Sequence, residues 1–302
     1  MTFTRGDLLS RGVSERRWRQ LVQCGDIVRV TRSQYVAAAP ALQGFLASAR
    51  VIDPAQEYTA RAIAAQRQIK APTLAGELTA AQIHRLSLPF PMDDRVTLIA
   101  QPTTAKPRSY PAIRVLPRDV PDAQRAECSG VKLTSVALTV VDVSRRHRLR
   151  DALVVGDSAL RAGLDSDELH TALAGQAGIP YVQRARDAVA LMNGVRESPL
   201  ESESYAFFVE RELPLPECQI WIDSDRVDFL WRDCRVVGEA DGRVKYLADL
   251  GLDRGAGDAL WLEKGRENRI EDLGFRFVRW TYADLRRRPD ELERRIRREL
   301  GQ

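Results

Sequence analysis

Three carboxylates, Asp228, Glu239 and Asp241, lie within a short stretch whose other residues are mostly apolar or small. The pattern over residues 226–245 predicts two short strands joined by a polar turn at 232–235. Because side chains alternate along a strand, Glu239 and Asp241 should point the same way, and a hairpin would bring Asp228 beside Glu239. Like charges in an apolar setting are costly unless a cation lies between them. The stretch therefore predicts a divalent metal ion held by oxygen ligands.

Helices and strands on both sides of this hairpin should position further groups near it. Ser198 and Pro199 form a typical helix start, and the predicted helix continues to about residue 212 with Glu201 in its first turn. Two of the five lysines of the chain, Lys245 and Lys264, follow the hairpin closely. The other predicted elements are a strand at 219–222, a helix at 258–273, a strand at 275–280 and a terminal helix at 289–300.

Five short motifs follow one another between residues 198 and 285. They are Ser198-Pro-Leu-Glu201-Ser202, Val227-Asp228-Phe229, Glu239-Ala-Asp241-Gly242, Trp261-Leu-Glu263-Lys264 with Arg266-Glu267, and Leu273-Gly274-Phe275 ending in Arg279-Trp280. In this order they resemble the Vsr-like nucleases, relatives of the very-short-patch repair endonuclease. These proteins belong to the restriction-endonuclease-like, PD-(D/E)XK superfamily. Its core order is helix, three antiparallel strands, helix and strand, which is also the order predicted for this segment.

The resemblance implies Mg²⁺- or Mn²⁺-dependent cleavage of phosphodiester bonds in DNA. A bound metal ion activates a water molecule and offsets the charge that develops on the phosphate. Asp228 and Glu239 would bind the metal, and Glu201 would join them directly or through water. The superfamily has a lysine at the position of Asp241, so another lysine would have to bring the ammonium group to the site. The implied catalytic residues are Glu201, Asp228, Glu239, Asp241, Lys245 and Lys264.

Four of these residues also have a purely structural interpretation. Glu239 and Asp241 would then lie on a surface strand edge, with Asp241 and Gly242 forming a simple turn. Glu201 would be an ordinary acidic residue in the first turn of its helix, where the helix dipole favours negative charge. Lys245 would be a surface lysine.

The first 50 residues are strongly basic, with eight arginines and three acidic residues, whereas residues 196–302 hold 20 basic and 24 acidic ones. Such an asymmetry favours contact between the N-terminal segment and a polyanion. The predicted elements there are a helix at 4–11, a second helix from Ser14 to about Cys24, and two strands at 27–31 and 34–36. This is the layout of a winged helix-turn-helix, whose second helix enters the major groove of DNA.

Turn and strand residues of this segment carry a second resemblance. They are Gly12-Val13-Ser14, Gly25-Asp26-Ile27-Val28-Arg29-Val30 and Tyr35-Val36. They resemble the N-terminal domain of AbiEi-type antitoxins, the transcriptional regulators of type IV toxin–antitoxin systems, although Ser33 and Gln34 stand where that family has a glycine. The alternative is a small basic module that binds no DNA. The resemblance implies binding of double-stranded DNA through Arg16, Arg17, Arg19, Gln20, Arg29 and Arg32.

Residues 51–195 resemble the middle region of the same antitoxins, notably in the segment from Lys132 to Asp142. No group of residues there converges on chemistry. Asp142 is interpreted as a structural polar partner, and the basic run 145–148 as a solvated loop. The sequence therefore predicts a multidomain protein of the α+β or α/β class. Its domains are a winged helix-turn-helix at 1–50, a mixed α/β domain at 51–195 and a nuclease-like domain at 196–302.

The composition, 44% hydrophobic and 29% charged, is that of a globular protein. Four scattered cysteines without a C-x-x-C pair predict neither a zinc site nor a disulfide framework. No apolar run approaches the roughly 20 residues of a membrane span, and no signal peptide is recognisable. We therefore expect a cytoplasmic protein without a membrane partner.

Two functional hypotheses follow. The first is a Mg²⁺-dependent DNA endonuclease that a winged helix brings to double-stranded DNA. The second is an AbiEi-type antitoxin or repressor whose nuclease-like domain does not cut, with a cognate toxin or a second copy of the chain as partner. The aspartate at position 241 favours the second hypothesis, and the carboxylate cluster favours the first.

Overall fold

Both helices and mixed sheets are present in the computed structural model, so the expected mixed α and β class is confirmed. The structure describes residues 3–10, 13–23, 27–29, 35–37, 54–69, 71–89, 95–100, 108–109, 112–241 and 256–302. The chain forms two compact units, Met1–Arg146 with Ala162–Arg186 and His147–Arg161 with Asp187–Gln302. The sequence placed the last boundary between 195 and 196, whereas the second unit also takes in 147–161 and 187–195. Within the described ranges, no helix is long and apolar enough to cross a membrane.

The N-terminal segment consists of two helices followed by a small hairpin. Its elements are α1 (Arg5–Ser10), α2 (Glu15–Gln23), β1 (Ile27–Arg29) and β2 (Tyr35–Ala37), and the two strands pair antiparallel. Trp18 and Leu21 of α2 are buried in a small core, and the Trp18 ring meets the Tyr35 ring edge-on at 4.5 Å. Val22, the residue after Leu21, is exposed because the helix turns it away from this core.

The remainder of the first unit is built on a six-stranded sheet in the order β5-β6-β4-β3-β8-β7. Its strands are β3 (Thr73–Ala75), β4 (Val96–Ala100), β5 (Arg108–Ser109), β6 (Ile113–Pro117), β7 (Arg125–Cys128) and β8 (Val131–Thr134). The next helices are α3 (Pro54–Gln68), α4 (Glu77–Ile83), α5 (Val136–Arg146), α6 (Leu149–Arg161), α7 (Ser166–Ala174) and α8 (Val182–Val189). Of these, α6 belongs to the second unit.

Of the basic run 145–148, which the sequence predicted as a solvated loop, Arg145 is buried in ion pairs, whereas Arg146 and Arg148 are exposed. Asp142 is buried and pairs with both Arg118 and Arg145. Arg145 is only 4% exposed and also donates to the Pro180 carbonyl at 2.8 Å. The interpretation of Arg145 was therefore wrong, because a buried carboxylate recruits the guanidinium into the core. The interpretation of Asp142 as a structural partner is confirmed.

The second unit is organised around a four-stranded sheet in the order β12-β11-β10-β9. Three consecutive strands form an antiparallel meander, and the last strand pairs parallel to β11 after a helical crossover. This is the element order expected from the sequence. The strands are β9 (Glu217–Ile222), β10 (Asp225–Trp231), β11 (Val236–Ala240) and β12 (Arg276–Trp280), and the helices are α9 (Pro199–Glu210), α10 (Ala256–Asp272), α11 (Tyr282–Arg287) and α12 (Pro289–Leu300).

Both faces of this sheet are covered. On one face, aromatic rings of the sheet pack with residues of α9 and α12, and Phe208 meets Phe229 edge-on at 5.3 Å. On the other face, Leu230 and Val237 pack with Ile270 of α10. Helices thus cover both faces of the sheet. Polar side chains at the ends of the strands therefore lie at the edge of each core, near residues of these helices.

Helix α6 is fixed to the start of α9 by a fully buried ion pair. Arg196 donates to Asp157 at 2.7 and 2.9 Å, and neither side chain is exposed. Ser202 of α9 donates to the same carboxylate at 2.8 Å, and the Arg196 guanidinium lies 4.3 Å from the Tyr205 ring centroid. A buried charge without its partner is strongly destabilising. The segment around Arg196 at the start of α9 therefore depends on Asp157 of α6 for its stability.

Candidate active site

Asp228 lies where the pairing between β10 and β11 ends. The two strands pair from Trp231 with Val236 to Phe229 with Gly238. At the next position the Asp228 carboxylate accepts a hydrogen bond from the Ala240 backbone nitrogen at 2.9 Å. The side chain thus takes the place of a backbone acceptor, and this fixes its carboxylate at the edge of the sheet.

Gln219 of β9 connects Asp228 to Glu201. Its amide nitrogen donates to Glu201 Oε2 at 2.7 Å and to Asp228 Oδ1 at 3.2 Å. The backbone of Gln219 has a φ of +57°, a conformation that is unusual for residues other than glycine. Gln219 was not among the predicted site residues. Its position nine residues before Asp228, across a short turn, could have indicated that the two side chains lie close together.

Glu201 lies at the start of a helix and also close to Asp228. It is 5% exposed in the first turn of α9, where Ser198 is the N-cap and accepts from the Glu201 nitrogen at 3.2 Å. Its Oε2 accepts from the Glu197 backbone nitrogen at 2.8 Å as well as from Gln219. Glu201 therefore stabilises the helix start and also presents a carboxylate to Asp228.

Burial raises the pKa of Asp228 from its ordinary value of 3.8 to about 6. This value also includes the neighbouring carboxylates of Glu201 and Glu239, which raise the pKa, and hydrogen bonds from the Ala240 nitrogen and from Gln219, which lower it. A carboxylic acid that titrates close to neutral pH is common at functional sites. A cation beside it would favour the ionised form.

Glu239 lies near enough to Asp228 to raise its pKa, and it also binds two arginines. It forms ion pairs with Arg266 of α10 and, at 3.3 Å, with Arg279 of β12. Arg279 also contacts Glu267 at 2.8 Å, and Lys264 contacts Glu267 at 3.1 Å. We name this row of five residues the Glu239 ion-pair chain. Because a different guanidinium contacts each oxygen of Glu239, this carboxylate is already neutralised.

The three remaining predicted catalytic residues are placed differently. Asp241 follows the end of β11, and its backbone nitrogen donates to the Trp280 carbonyl at 2.8 Å. Lys264 is 58% exposed and belongs to the Glu239 ion-pair chain. Lys245 lies outside the described residues. The ammonium group expected at the site is therefore not among the groups that surround Asp228 in the described part of the chain.

The donor set suits a hard divalent cation, although not in the predicted combination. No group of three or more His, Cys, Asp or Glu residues is arranged to hold a metal ion in the described ranges. Glu201 and Asp228 do converge on the amide of Gln219. Mg²⁺ is usually held by one or two carboxylates together with water or phosphate oxygens. The pair formed by Glu201 and Asp228 fits that requirement, whereas Glu239 is occupied by arginines.

An exposed polar face on α2 contains three of the six predicted DNA-binding residues. Arg16, Arg19 and Gln20 are exposed and spaced three and four residues apart, which places them on one side of the helix opposite the buried Trp18 and Leu21. The neighbouring Arg17 donates to Gln20 at 3.4 Å. Arg29 is exposed on β1, and Arg32 lies outside the described residues.

Comparison with known proteins places the chain in a family. No family model matches it. It is 32% identical over 200 residues to the uncharacterized proteins MT2308 and Rv2248 of two Mycobacterium tuberculosis strains, which covers 64% of this chain and 70% of each relative. The chain therefore belongs to the family of these two proteins. The crystal structure of the RV2827C protein from Mycobacterium tuberculosis is 17% identical with a TM-score of 0.39, covering 73% of this chain and 79% of that one.

Proposed function

We propose that the chain is a DNA-binding protein whose second unit is a Mg²⁺-dependent DNA endonuclease with a restriction-endonuclease-like, PD-(D/E)XK fold. The observation that carries this proposal is the convergence of two carboxylates, Glu201 of α9 and Asp228 of β10, on one amide group. Both accept a hydrogen bond from the Gln219 amide nitrogen, and the pKa of Asp228 is raised to about 6, mainly by burial. Two desolvated carboxylates that share one neighbour are typical of cation sites.

The order of elements supports the same proposal. Helix α9 precedes an antiparallel meander of β9, β10 and β11, and α10 crosses over to the parallel strand β12. The sequence resemblance to Vsr-like nucleases implies this order. A bound Mg²⁺ ion would supply an activated water molecule and relief of charge on the phosphate. Within the chain, Asp228 and Glu201 would hold the ion, and the Ala240 nitrogen orients Asp228.

The basic face of α2 supports delivery to double-stranded DNA. Arg16, Arg19 and Gln20 form an exposed row on the second helix of a helix, helix, hairpin segment. In proteins with that layout, the second helix contacts base edges in the major groove. Arginines also bind phosphates, and this gives affinity independent of sequence.

Conversion of supercoiled plasmid by the full-length protein tests the nuclease proposal. We expect nicked or linear DNA with Mg²⁺ or Mn²⁺ and none with EDTA. Asp228→Asn and Glu201→Gln should each lower the rate by about 100-fold, because each replaces a charged carboxylate with a neutral amide that binds the cation more weakly. Glu217→Gln is a matched control, since Glu217 lies on the same strand as Gln219 but pairs with Arg232. Equal rates in the wild type and in Asp228→Asn would contradict the proposal.

A second candidate function is DNA-binding regulation without cleavage, as in an AbiEi-type antitoxin. The observation that favours it is the neutralisation of Glu239 by Arg266 and Arg279, together with an aspartate at the usual lysine position. This function predicts that the protein shifts its own promoter DNA in gels, and that repression of a reporter survives Asp228→Asn. A cognate toxin encoded nearby or a second copy of the chain would be its partner. Loss of repression in Asp228→Asn, with promoter binding intact, would exclude it.

A further inference from the structure

We propose that Gln219 is the third protein ligand of the cation, in the place that the sequence assigned to Glu239. This inference rests on the proposed function, since it concerns the same site. It assigns the ligands to α9, β9 and β10 rather than to α9, β10 and β11. It also gives Glu239 a different role, which is to hold two arginines.

The Gln219 amide nitrogen makes, through hydrogen bonds, the link between the two carboxylates that a bound cation would make. It is 2.7 Å from one oxygen of Glu201 and 3.2 Å from one oxygen of Asp228, so a single donor bridges two carboxylates. A side-chain amide carries a donor at one corner and an acceptor at the other. Rotation of the amide by half a turn would exchange its nitrogen for its carbonyl oxygen. That oxygen is repelled by the two carboxylates in the metal-free protein and becomes a ligand once a cation lies between them.

The backbone around Gln219 aims this side chain at the carboxylates. Ile220 pairs with Val227 and Cys218 pairs with Phe229, and the position between them, Gln219 opposite Asp228, is missing from the ladder. Within β9, Gln219 is the one residue with a positive φ, at +57°. Strained backbone conformations persist where the surrounding structure holds them in place, and they are frequent at ligand sites. The regular pairing on both sides keeps the register, so only the amide is displaced from the strand.

Glu239 is held too firmly to supply the third oxygen ligand. Its two oxygens contact the guanidinium groups of Arg266 and Arg279. Arg279 is itself fixed by Glu267 at 2.8 Å and by the Phe277 ring, whose centroid is 4.6 Å away. Release of Glu239 toward a cation would leave two arginines without their shared carboxylate. Glu239 is therefore a positioning residue for the two arginines.

Titration of the full-length protein with Mn²⁺, followed by calorimetry and by electron paramagnetic resonance, tests this assignment without measuring cleavage. We expect Gln219→Ala to weaken Mn²⁺ binding by about tenfold or more. Gln219→Lys should abolish binding at an unchanged melting temperature, because its ammonium group replaces the cation. Glu239→Gln should bind Mn²⁺ within about twofold of the wild type, since it removes no ligand. Glu217→Gln, on the same strand, is the matched control.

Gln219→Glu provides a second readout that does not depend on the alanine variant being folded. Its extra carboxylate should lower the melting temperature in EDTA, through repulsion by Glu201 and Asp228. Mn²⁺ should then raise the melting temperature more than it does in the wild type, because binding to the folded state stabilises it. The same shift in both proteins would overturn the assignment of Gln219.

The possible failures can be told apart. If wild-type binding depends on Asp228 but is unchanged in Gln219→Ala and Gln219→Lys, this inference is overturned while the proposed function stands. If Glu239→Gln loses Mn²⁺ and Gln219→Ala keeps it, the ligand is Glu239 and the inference is again overturned. If the wild type binds no Mn²⁺, both the inference and the proposed nuclease activity are overturned.

Discussion

Asp228 is the residue whose charge is most sensitive to conditions in the candidate site. Its pKa is raised to about 6, first by burial and then by the carboxylates of Glu201 and Glu239. In the unfolded chain the same group titrates near its ordinary value of 3.8. Between these two values the folded protein holds a proton that the unfolded chain has released. The carboxyl group therefore contributes stability below about pH 4, and the contribution is lost as the pH rises through about 6.

We predict that metal-free wild-type protein loses stability relative to Asp228→Asn as the pH rises from 4 to 7. The variant carries no titrating group at this position, so the difference between the two proteins isolates the effect of Asp228. Urea denaturation in EDTA at half-unit pH steps measures it. A difference that is constant across this range would show that Asp228 has an ordinary pKa. Addition of Mg²⁺ at pH 7 should stabilise the wild type more than the variant, because the cation offsets the buried charge.

Arg196 and Asp157 form a second residue-scale test, away from the proposed chemistry. Both side chains are fully buried, and Asp157 also accepts from Ser202. Asp157→Ala should lower the free energy of unfolding by about 3–5 kcal/mol, because it leaves an unpaired buried guanidinium. The double variant Asp157→Leu with Arg196→Met should lose less, since it removes both charges. Chemical denaturation of the wild type and the two variants measures these free energies of unfolding. An equal decrease in the single and the double variant would contradict this explanation.

At the scale of elements, α2 is the part of the first unit that we expect to contact DNA. Its buried side is fixed by Trp18 and Leu21, and its exposed side carries Arg16, Arg19 and Gln20. A phosphate contact contributes a nearly constant amount to the salt dependence of binding, whereas a base contact changes sequence preference.

We predict that Arg16→Ala and Arg19→Ala each weaken binding to duplex DNA. Where the arginine contacts phosphate, the slope of log affinity against log salt concentration should fall by about 1. Fluorescence anisotropy between 50 and 200 mM salt measures both quantities. Arg186→Ala is the control, because Arg186 is also an exposed arginine and lies on a helix without a proposed DNA contact. Equal affinity in all three variants and the wild type would remove α2 from the DNA interface.

Elements with long, regular patterns were predictable from the sequence, and elements defined by distant partners were not. The helix Pro289–Leu300 was predicted at these residues, and the strand Arg276–Trp280 within one residue of its observed start, because their apolar periodicity is regular. The strand Thr73–Ala75 was not predicted, since three residues carry no readable alternation. The helix Tyr282–Arg287 was missed although Thr281 and Asp284 form a capping box.

In the site, the sequence predicted which carboxylates would be near one another but not what each would bind. The positions of Asp228 and Glu201 could be predicted because a hairpin and a helix cap are local features of the sequence. Glu239 was expected near Asp228, and its charge does act on Asp228, but its two arginine partners come from 27 and 40 residues further along the chain and were not predicted. Gln219 depends on a backbone conformation that residue type does not reveal.

At the scale of the whole molecule, the two units do not follow the order of the sequence. Helix α6, residues 149–161, belongs to the second unit, although residues 162–186 belong to the first. Asp157 on α6 neutralises Arg196 just before α9, and Arg161 donates to the Arg196 carbonyl. The segment from 196 onwards thus requires a helix that precedes it by about 40 residues.

We predict that a fragment of residues 147–302 unfolds cooperatively on heating, whereas a fragment of 196–302 does not. The shorter fragment lacks Asp157 and leaves the buried surface of α9 uncovered. Circular dichroism and proton chemical-shift dispersion distinguish the two outcomes. A well-folded fragment of 196–302 would mean that α6 is an accessory to this unit and not a part of its core.

Gly238 gives this protein an optical property that is open to direct use. A Cβ atom at this position would lie 2.7 Å from the Trp280 ring and 2.8 Å from the Trp231 ring, so two buried indoles approach the same face of the strand at Gly238. The next residue along the strand is Glu239, and the Trp280 indole donates to Ser204 of α9 at 2.7 Å. Movement of β11 relative to α9 therefore changes the surroundings of two fluorophores at once. Their emission offers a label-free signal for events at the neighbouring carboxylates.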